Sequence, residues 1–392
     1  MTARLCPHMA VRPVYKHAYP AAKSKEDFLM PPAPAPTPPL ARNSRTSLAT
    51  ALASLLFAGA VALTAQPVRS EASAQPVAPA GLVNALAREL ADNFVLPDVG
   101  ARYAAALQSR LASGAYAGIN DPEALARTLT SDLQAVAKDG HLRVFPPQPA
   151  ASAQPGHGSR PRLTPILASG WIADKVAYID FGVFPGDPDT LKQLDAFIAE
   201  HAGASTLIID ARHHHGGGLA EMDHLFAQMF AKETPLVVMD TRAAVVARSG
   251  GVPADGPWLR PAPAPDSVVR RVHVVTPAAH PVWARTKVIL LTSGKTASAA
   301  EHLALSLKRT GRATLVGEVT YGAGNFGGEV DLPGGFTAFV PVGRTYDPDT
   351  GKGWEGTGVA PDVAVPADAA LAKALEMIGV RPDQRRPIAG VS

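Results

Sequence analysis

The sequence predicts an α/β protein with a small helical unit on its N-terminal side, and three observations lead to this prediction. After residue 165, apolar strand-like runs alternate with amphipathic stretches of helical spacing, as in proteins built on a parallel sheet. One run, Thr206–Asp210, is apolar at nearly every position, which is typical of a strand buried on both faces. Before residue 145, apolar side chains recur at helical spacing instead.

Three helices are expected to form the N-terminal helical domain, residues 79–145. Their apolar stripes are Val83, Leu86, Leu90 and Phe94, then Tyr103, Leu107 and Leu111, and finally Leu125, Leu129, Leu133 and Val136. Asp121-Pro122-Glu123 is a strong helix start, with a capping aspartate, a proline in the first turn and an acid near the positive helix end. Three helices alone form a thin core, so we expect them to pack on the larger domain.

The α/β core is expected to extend over residues 166–380. Residues 146–165 are rich in Pro, Gly and Ser and are interpreted as a linker, and residues 381–392 as a flexible tail. Strands are expected at residues 176–180, 206–210, 236–239, 288–291 and 314–316, with helices near residues 191–198 and 225–230. Residues 329–340 are expected to form a hairpin, whereas the Pro-rich stretch 240–286 gives no secure assignment.

Residues 1–74 are interpreted as a disordered leader that ends in a secretory signal peptide. The proline-rich residues 31–39 are followed by Arg42 and Arg45, an apolar run over residues 48–63, and small residues at 72–74. Because this run is short for a membrane span, we expect an exported bacterial protein, periplasmic or secreted, without an integral span in the mature chain. An uncleaved anchor is the alternative, and Met30 is a candidate start.

Bulk composition excludes some classes of protein. The chain of 392 residues has a formal net charge of only +3, and no Lys/Arg run is interleaved with aromatic residues. Nucleic-acid binding therefore has little support. The sole cysteine, Cys6, lies in the leader, so disulfides are not expected in the fold.

Residues 290–301 contain the first candidate catalytic side chain. A strand-like segment ends at Ser293-Gly294, and a short turn leads to Ser298 at the start of an amphipathic helix. A hydroxyl at such a strand-to-helix turn can act as a nucleophile, and nearby helix N-terminal N–H groups can stabilise an oxyanion. The alternative is an ordinary N-cap serine.

A glycine-rich loop follows the buried strand that ends at Asp210. Its three glycines, residues 216–218, let backbone N–H groups approach an anion, so the loop could be an oxyanion hole, a phosphate cradle or an ordinary turn. His213, His214 and His215 suggest a metal. Three adjacent histidines cannot all face one ion from regular structure, and no second ligand motif appears. We therefore expect neither a metal nor another cofactor.

Two further segments offer a base and a carboxylate. His141, in Asp139-Gly-His-Leu-Arg143, follows the third helix where a loop begins, and a histidine there could be a general base. Glu355 lies between an aromatic residue and glycines, where a carboxylate could orient an imidazole. Taken singly, each has a plainer interpretation, as a surface or capping histidine and as a turn carboxylate.

Taken together, in the order in which they occur along the chain, the four segments resemble the tail-specific, or C-terminal processing, serine proteases. The resemblance is closer to their interphotoreceptor retinoid-binding protein-like and tricorn-core-like branch, and it covers about residues 80–370. It implies a crotonase/ClpP-like spiral core with a helical N-terminal domain. No stretch long enough for a PDZ domain separates the helical unit from the core, so none is expected.

The resemblance also implies a serine-type peptidase that forms an acyl-enzyme. Ser298 would be the nucleophile, His141 its general base and Glu355 the residue that steadies the hydrogen-bond network. The backbone of Gly216 and Gly217 and the N–H of Ala299 would form the oxyanion hole. Peptides or unfolded proteins are the expected substrates, and a homo-oligomer is compatible with the family.

The chain departs from the family pattern at three positions. Ala323 stands where the processing branch has its catalytic lysine, so His141 is expected to serve as the base. Gly140 replaces a polar residue, and His214 stands where asparagine is frequent. The departures at Gly140 and His214 support a second hypothesis, a non-catalytic binder of hydrophobic ligands such as retinoids or fatty acids. A crotonase-like acyl-CoA enzyme is a third, disfavoured by the export signal.

Overall fold

The structure is a computed structural model that describes residues 79–147, 163–249 and 258–391. The described residues belong to one compact unit. The predicted leader and signal peptide and most of the predicted linker lie outside them. Within the described part of the chain, the helices are too short or too polar to traverse a lipid bilayer.

Eight α-helices and twelve strands make up the described secondary structure. The helices are α1 Pro79–Asn93, α2 Pro97–Ala112, α3 Pro122–Val136, α4 Pro188–Glu200, α5 Ala220–Met229, α6 Ala243–Ser249, α7 Ala299–Arg309 and α8 Ala370–Met377. The strands are β1 Arg143–Phe145, β2 Ile166–Ala173, β3 Val176–Phe181, β4 Thr206–Asp210, β5 Thr234–Arg242, β6 Leu259–Ala262, β7 Val268–Val275, β8 Lys287–Thr292, β9 Ala313–Gly317, β10 Asn325–Asp331, β11 Thr337–Tyr346 and β12 Val363–Ala364.

The first sheet carries the α/β core and confirms the predicted fold class. Its strand order is β12-β9-β8-β4-β3-β2, parallel from β3 to β12, with β2 as an antiparallel edge. The alternation of side chains along each strand buries both faces, since Ile209 lies in one hydrophobic cluster and Ile208 in another. Both β4 and β8 end at the loops that hold the candidate catalytic residues.

The second sheet is antiparallel, with the order β1-β11-β5-β7-β6 and β10 paired to β11. The predicted hairpin over residues 329–340 is present, because β10 and β11 pair with Glu329 opposite Phe339. The stretch 240–286, which the sequence left unassigned, contributes α6, β6 and β7. The valine-rich run of β7 was the signal that could have identified a strand there.

The N-terminal helices pack on this second sheet. Asp121 caps α3 as predicted and accepts hydrogen bonds from the N–H groups of Glu123 and Ala124, at 3.2 and 3.0 Å. Leu86 and Leu129 share one buried cluster with Val340 on β11 and with Phe336, which directly precedes that strand. The helices therefore complete their thin core with residues far along the chain, and among the described residues no PDZ domain intervenes.

The domain boundaries remain predictions. One contact bears on the tail, residues 381–392, since Arg386 N–H donates to the carbonyl oxygen of Ile172 on β2, at 2.7 Å. This part of the tail lies against the edge strand of the first sheet.

Candidate active site

Ser298 lies at the N-terminal end of α7, in the turn that follows β8. Its φ of 57° and ψ of −116° place a non-glycine residue in a sparsely populated region of backbone conformation. Gly216 packs directly against it, because a Cβ built on Gly216 would lie 2.8 Å from Ser298 Cβ and 3.3 Å from Ser298 Oγ. Gly216 has a φ of 105°, so both its conformation and its neighbour require glycine.

The carboxylate of Glu301 holds the strained turn in place. Its Oε2 atom accepts from the N–H groups of Ser298 and Ala323, at 2.9 and 2.8 Å. Its Oε1 atom accepts from the hydroxyl of Thr320 and the N–H of Gly322, at 2.5 and 2.6 Å. Burial raises the pKa of Glu301, while these four donors lower it. Sequence reasoning missed this role, although Ser298-x-x-Glu301 has the spacing of a capping box.

The glycine loop and the start of α7 each offer one backbone donor beside Ser298. Among the described residues, the N–H groups of Gly217 and Ala299 have no hydrogen-bond acceptor, and both residues line one cavity with Ser298. The N–H of Gly216, which was also predicted to face an oxyanion, instead donates to Nδ1 of His214 at 3.0 Å. That N–H is already satisfied, so the geometry leaves Gly217 and Ala299 as the available pair.

His214, one of the departures from the family pattern, connects the glycine loop to the serine turn. Its side chain is buried, and burial together with the neighbouring His215 lowers its pKa to about 3. The ring is therefore neutral at physiological pH and can accept from Gly216. Its carbonyl oxygen accepts from the N–H of Ala297, at 3.0 Å, one residue before Ser298.

A second group of residues brings together Asp139, His141 and Glu355. One ligand atom from each side chain lies within 4.8 Å of the other two. Glu355 Oε1 accepts from the N–H of Gly140 at 2.6 Å, and Oε2 accepts from Gly324 and Asn325 at 2.6 and 2.7 Å. Burial and the Asp139 charge raise the pKa of Glu355 to about 7.

The imidazole of His141 is half-buried and stacks on Phe339, with ring centroids 5.3 Å apart. Burial lowers its pKa, against smaller opposing effects of Asp139 and the Asn325 backbone. His141 is thus neutral at pH 7, the form that a general base requires. No hydrogen bond joins His141 to Ser298 within the described part of the chain.

Two of the departures from the family pattern are in contact with each other. A Cβ built on Gly140 would lie 2.9 Å from the Cβ of Ala323 and 3.0 Å from its Cα. The side of Ala323 that faces the His141 loop therefore leaves no room for a larger residue at position 140. The N–H of Ala323 is also bound by Glu301, so this alanine joins the histidine side of the site to the serine side.

The cavity beside Ser298 has a volume of about 840 Å³. The glycine loop, the start of α7 and the strands β10 and β11 contribute to its walls. Its apolar lining includes Met239, Val245, Trp258, Val340 and Trp354. A cavity of this size and chemistry can enclose several residues of a peptide or one apolar small molecule.

Among the residues that the structure describes, two groups of side chains have donor atoms close enough to hold a metal ion. One is Asp139, His141 and Glu355, and the other is Asp180, Asp210 and His213. In the second group Asp210 is already occupied, because Arg212 and the Tyr178 hydroxyl donate to its oxygens at 2.6–3.0 Å. The structure thus places strand residues near His213 that no sequence motif had indicated.

Together with the fold, two family matches assign the protein to a class, the α/β peptidases with an N-terminal helical domain. The model of peptidase family S41 matches residues 175–365. The model of the N-terminal domain of Peptidase_S41 in eukaryotic IRBP matches residues 77–169. The two matches together extend over most of the chain. The chain therefore belongs to peptidase family S41, which confirms the predicted resemblance and makes the protein a serine-type peptidase.

One solved structure shares this fold at low sequence identity, and a second is similar at a lower TM-score. A candidate peptidase from Parabacteroides merdae superposes with a TM-score of 0.52 at 16% identity, covering 79% of this chain and 99% of that chain. The photosystem II D1 C-terminal processing protease superposes with a TM-score of 0.45 at 17% identity, covering 73% and 92%.

Proposed function

We propose that the protein is an exported serine peptidase that cleaves peptide bonds through an acyl-enzyme on Ser298. One observation carries the proposal. Ser298 begins α7 in a strained conformation, beside a cavity that Gly217 and Ala299 also line, and the N–H groups of these two residues have no acceptor among the described residues. A nucleophile next to two such donors is the arrangement that acyl transfer needs.

The reaction follows from the named groups. His141 removes the proton from Ser298 Oγ as the oxygen attacks the substrate carbonyl carbon. The carbonyl oxygen becomes an oxyanion, which accepts hydrogen bonds from Gly217 and Ala299. His141 then donates its proton to the leaving amine, and the C–N bond breaks. Water, deprotonated by His141, hydrolyses the ester and regenerates the Ser298 hydroxyl.

Glu355 acts in this scheme as a positioning residue. Its two oxygens bind the N–H of Gly140 on one side and the N–H groups of Gly324 and Asn325 on the other. It thereby fixes the backbone that carries His141. Hydrogen bonds between a nucleophile and its base often shorten only when substrate binds, so the proposal requires His141 to reach Ser298 Oγ in the complex.

A carrier of hydrophobic ligands is the second candidate function. The largely apolar cavity of about 840 Å³ favours it, since such a cavity suits a retinoid or fatty acid. A carrier has no need for a reactive serine. The two functions therefore differ in whether Ser298 reacts with an electrophile.

Export rests on the sequence of residues 42–74, with its basic, apolar and small-residue segments in order. Fractionation of a bacterial host that expresses the full chain tests it. Recovery of a shortened chain outside the cytoplasm supports export, and recovery of the intact chain in the cytoplasm contradicts it.

The deciding experiment is fluorophosphonate labelling of the chain that begins at residue 75, with peptide mapping. We expect one adduct, on Ser298, that is absent in Ser298→Ala and retained in Ser205→Ala, which removes an exposed serine. A folded protein that forms no adduct would contradict the peptidase proposal. Tight binding of an apolar ligand by that protein would then favour the carrier.

A further inference from the structure

A chain of three hydrogen-bonded side chains lies beside the candidate active site and has no part in the mechanism above. Asp223 Oδ1 on α5 lies 2.7 Å from His273 Nε2 on β7. His273 Nδ1 lies 2.9 Å from His302 Nε2 on α7. His302 is one helical turn after Ser298, so both side chains lie on the same face of α7. A polar network of this kind requires an explanation, because His273 and His302 are buried and Asp223 is largely so.

One placement of protons satisfies these hydrogen bonds when both histidines are neutral. A carboxylate can only accept, so His273 Nε2 donates to Asp223. In neutral His273 the Nδ1 atom is then an acceptor, and His302 Nε2 donates to it. Burial, with a smaller contribution from His273, holds the pKa of His302 well below its ordinary value. His302 is therefore neutral, and its Nδ1 atom is left as an acceptor.

Both ends of this chain open on the cavity beside Ser298. Asp223 and His302 line that cavity, and the Asp223 side chain retains 15% of its exposure. Among the described residues, the side-chain hydrogen bonds of Asp223 and His302 are those to His273, and they use Asp223 Oδ1 and His302 Nε2. Asp223 Oδ2 and His302 Nδ1 take no part in them. The polar end of the cavity thus presents acceptors, one of them a carboxylate oxygen, to whatever binds there.

Most charged residues that line the cavity are acidic, like this end. Its charged lining residues are three acids, Glu89, Asp223 and Glu329, and one base, Arg248. Arg248 donates to the side-chain oxygen of Asn93, and Asn93 in turn donates to Glu89. The described lining therefore carries an excess of negative charge, which favours a cationic group over an anionic one.

The remaining walls suit a long aliphatic stem. Met239, Val245, Trp258, Leu259 and Val340 line the same cavity. Lysine and arginine bury such stems against apolar surface while they keep a charged donor at the tip. Neither a purely apolar side chain nor a fatty-acid carboxylate would use the acceptors at the end.

We infer that this cavity is a specificity pocket for a basic side chain, lysine or arginine, of a peptide substrate. The carboxylate of Asp223 binds the charged end of the basic side chain, and His302 accepts a second hydrogen bond from it. His273, which is bonded to both residues, keeps them in position. This inference rests on the proposed function, since it names the substrate class of the same site.

Binding to an inactive protein tests the pocket separately from catalysis. In the Ser298→Ala chain, fluorescent alanine-based octapeptides with a single lysine, norleucine or glutamate at each position in turn are titrated by anisotropy. Norleucine matches the lysine stem without its charge. At the best position we expect lysine peptides to bind about tenfold or more tightly than norleucine peptides, and glutamate peptides to bind least.

Two further measurements test whether the lysine preference arises from Asp223 and from charge. Asp223→Asn in the same chain should bring the ratio of lysine to norleucine binding close to one, whereas the control Asp195→Asn, an exposed acid on α4, should preserve it. The lysine advantage of the Ser298→Ala chain should also fall as salt rises, a test that needs no change at Asp223.

Equal or stronger binding of norleucine peptides, or a lysine advantage that survives Asp223→Asn, would overturn the inference. The labelling of Ser298 reports on the peptidase proposal independently. An unlabelled Ser298 with an Asp223-dependent lysine preference would leave the pocket assigned and the catalysis rejected, and a labelled Ser298 without that preference would mean the reverse.

Discussion

At the scale of single residues, the strain at Ser298 is compensated by the groups around it. Its positive φ costs conformational energy, on the order of 1–3 kcal/mol for such a residue. Glu301 binds its N–H, and Gly216 closes over its side chain. A residue held in this way presents its hydroxyl in one orientation.

The pH dependence of Ser298 labelling should report the ionisation of His141. Burial lowers the pKa of His141 below its ordinary value of 6.5, and only the neutral ring can accept a proton. The labelling rate should therefore rise with pH and pass its main midpoint below 6.5, and a smaller change near pH 7 would report the ionisation of Glu355. The measurement is the rate of fluorophosphonate labelling between pH 4.5 and 8.5.

His141→Gln should lower the plateau rate by about 10²–10⁴-fold, the usual contribution of a general base. A wild-type midpoint in the alkaline range, or an unchanged rate in His141→Gln, would show that another group activates Ser298.

At the scale of elements, the loop between β9 and β10 is held by two carboxylates. Glu301 accepts from the N–H groups of Gly322 and Ala323, and Glu355 accepts from those of Gly324 and Asn325. Four consecutive backbone donors are thus satisfied from two sides. The loop connects Ser298 to the segment that carries His141, so its position determines whether the two residues can meet.

Gly140→Ala should disturb this connection. The added methyl would lie 2.9 Å from Ala323 Cβ, closer than two such carbons can approach. We expect a loss of about 1–3 kcal/mol in the free energy of unfolding and slower labelling of Ser298, because the His141 loop must move away. Urea denaturation and labelling rates measure the two effects.

The matched control is Gly203→Ala, where a Cβ would meet no atom within 4 Å. Its free energy of unfolding should change by no more than a few tenths of a kcal/mol, and its rate of Ser298 labelling should stay close to that of the wild type. If the two variants behave alike, then the contact between positions 140 and 323 has no energetic role.

At the scale of the whole molecule, the N-terminal helices and the second sheet form one hydrophobic cluster. Residues of α1 and α3 pack with Leu332, Phe336 and Val340, more than 190 residues further along the chain. His141 follows α3 directly. The helices therefore contribute to the core and also place the proposed base.

Leu86→Ala tests whether the described unit unfolds cooperatively. Leu86 is fully buried in that cluster, so its truncation should cost about 2–5 kcal/mol. We expect a single urea transition at a lower midpoint, with Ser298 labelling lost over the same range of urea. Leu163→Ala, at an exposed leucine, is the control and should have little effect. Two separate transitions would show that the helices unfold independently.

Sequence reasoning succeeded where local pattern is sufficient and failed where distant groups meet. The cap of α3 was predicted from Asp121-Pro122-Glu123 and is present. Short motifs also selected Ser298, His141 and Glu355, whose roles stay predictions, but the hydrogen bond from Gly216 to His214 could not be predicted from a run of glycines. The neighbourhood of His213, with Asp180 and Asp210, also depends on the pairing of β3 with β4. Likewise, the Asp223–His273–His302 chain joins residues from three separate elements.

The sequence by itself determined the α/β class, the N-terminal helices, the capping of α3 and the family. Periodicity, helix caps and motif order are local properties that survive without knowledge of the fold. Only the tertiary structure decided which N–H groups beside Ser298 lack an acceptor among the described residues and why position 140 must be small beside Ala323. It also decided which acidic side chains line the cavity. Those properties depend on distances between side chains far apart in sequence, which packing alone sets.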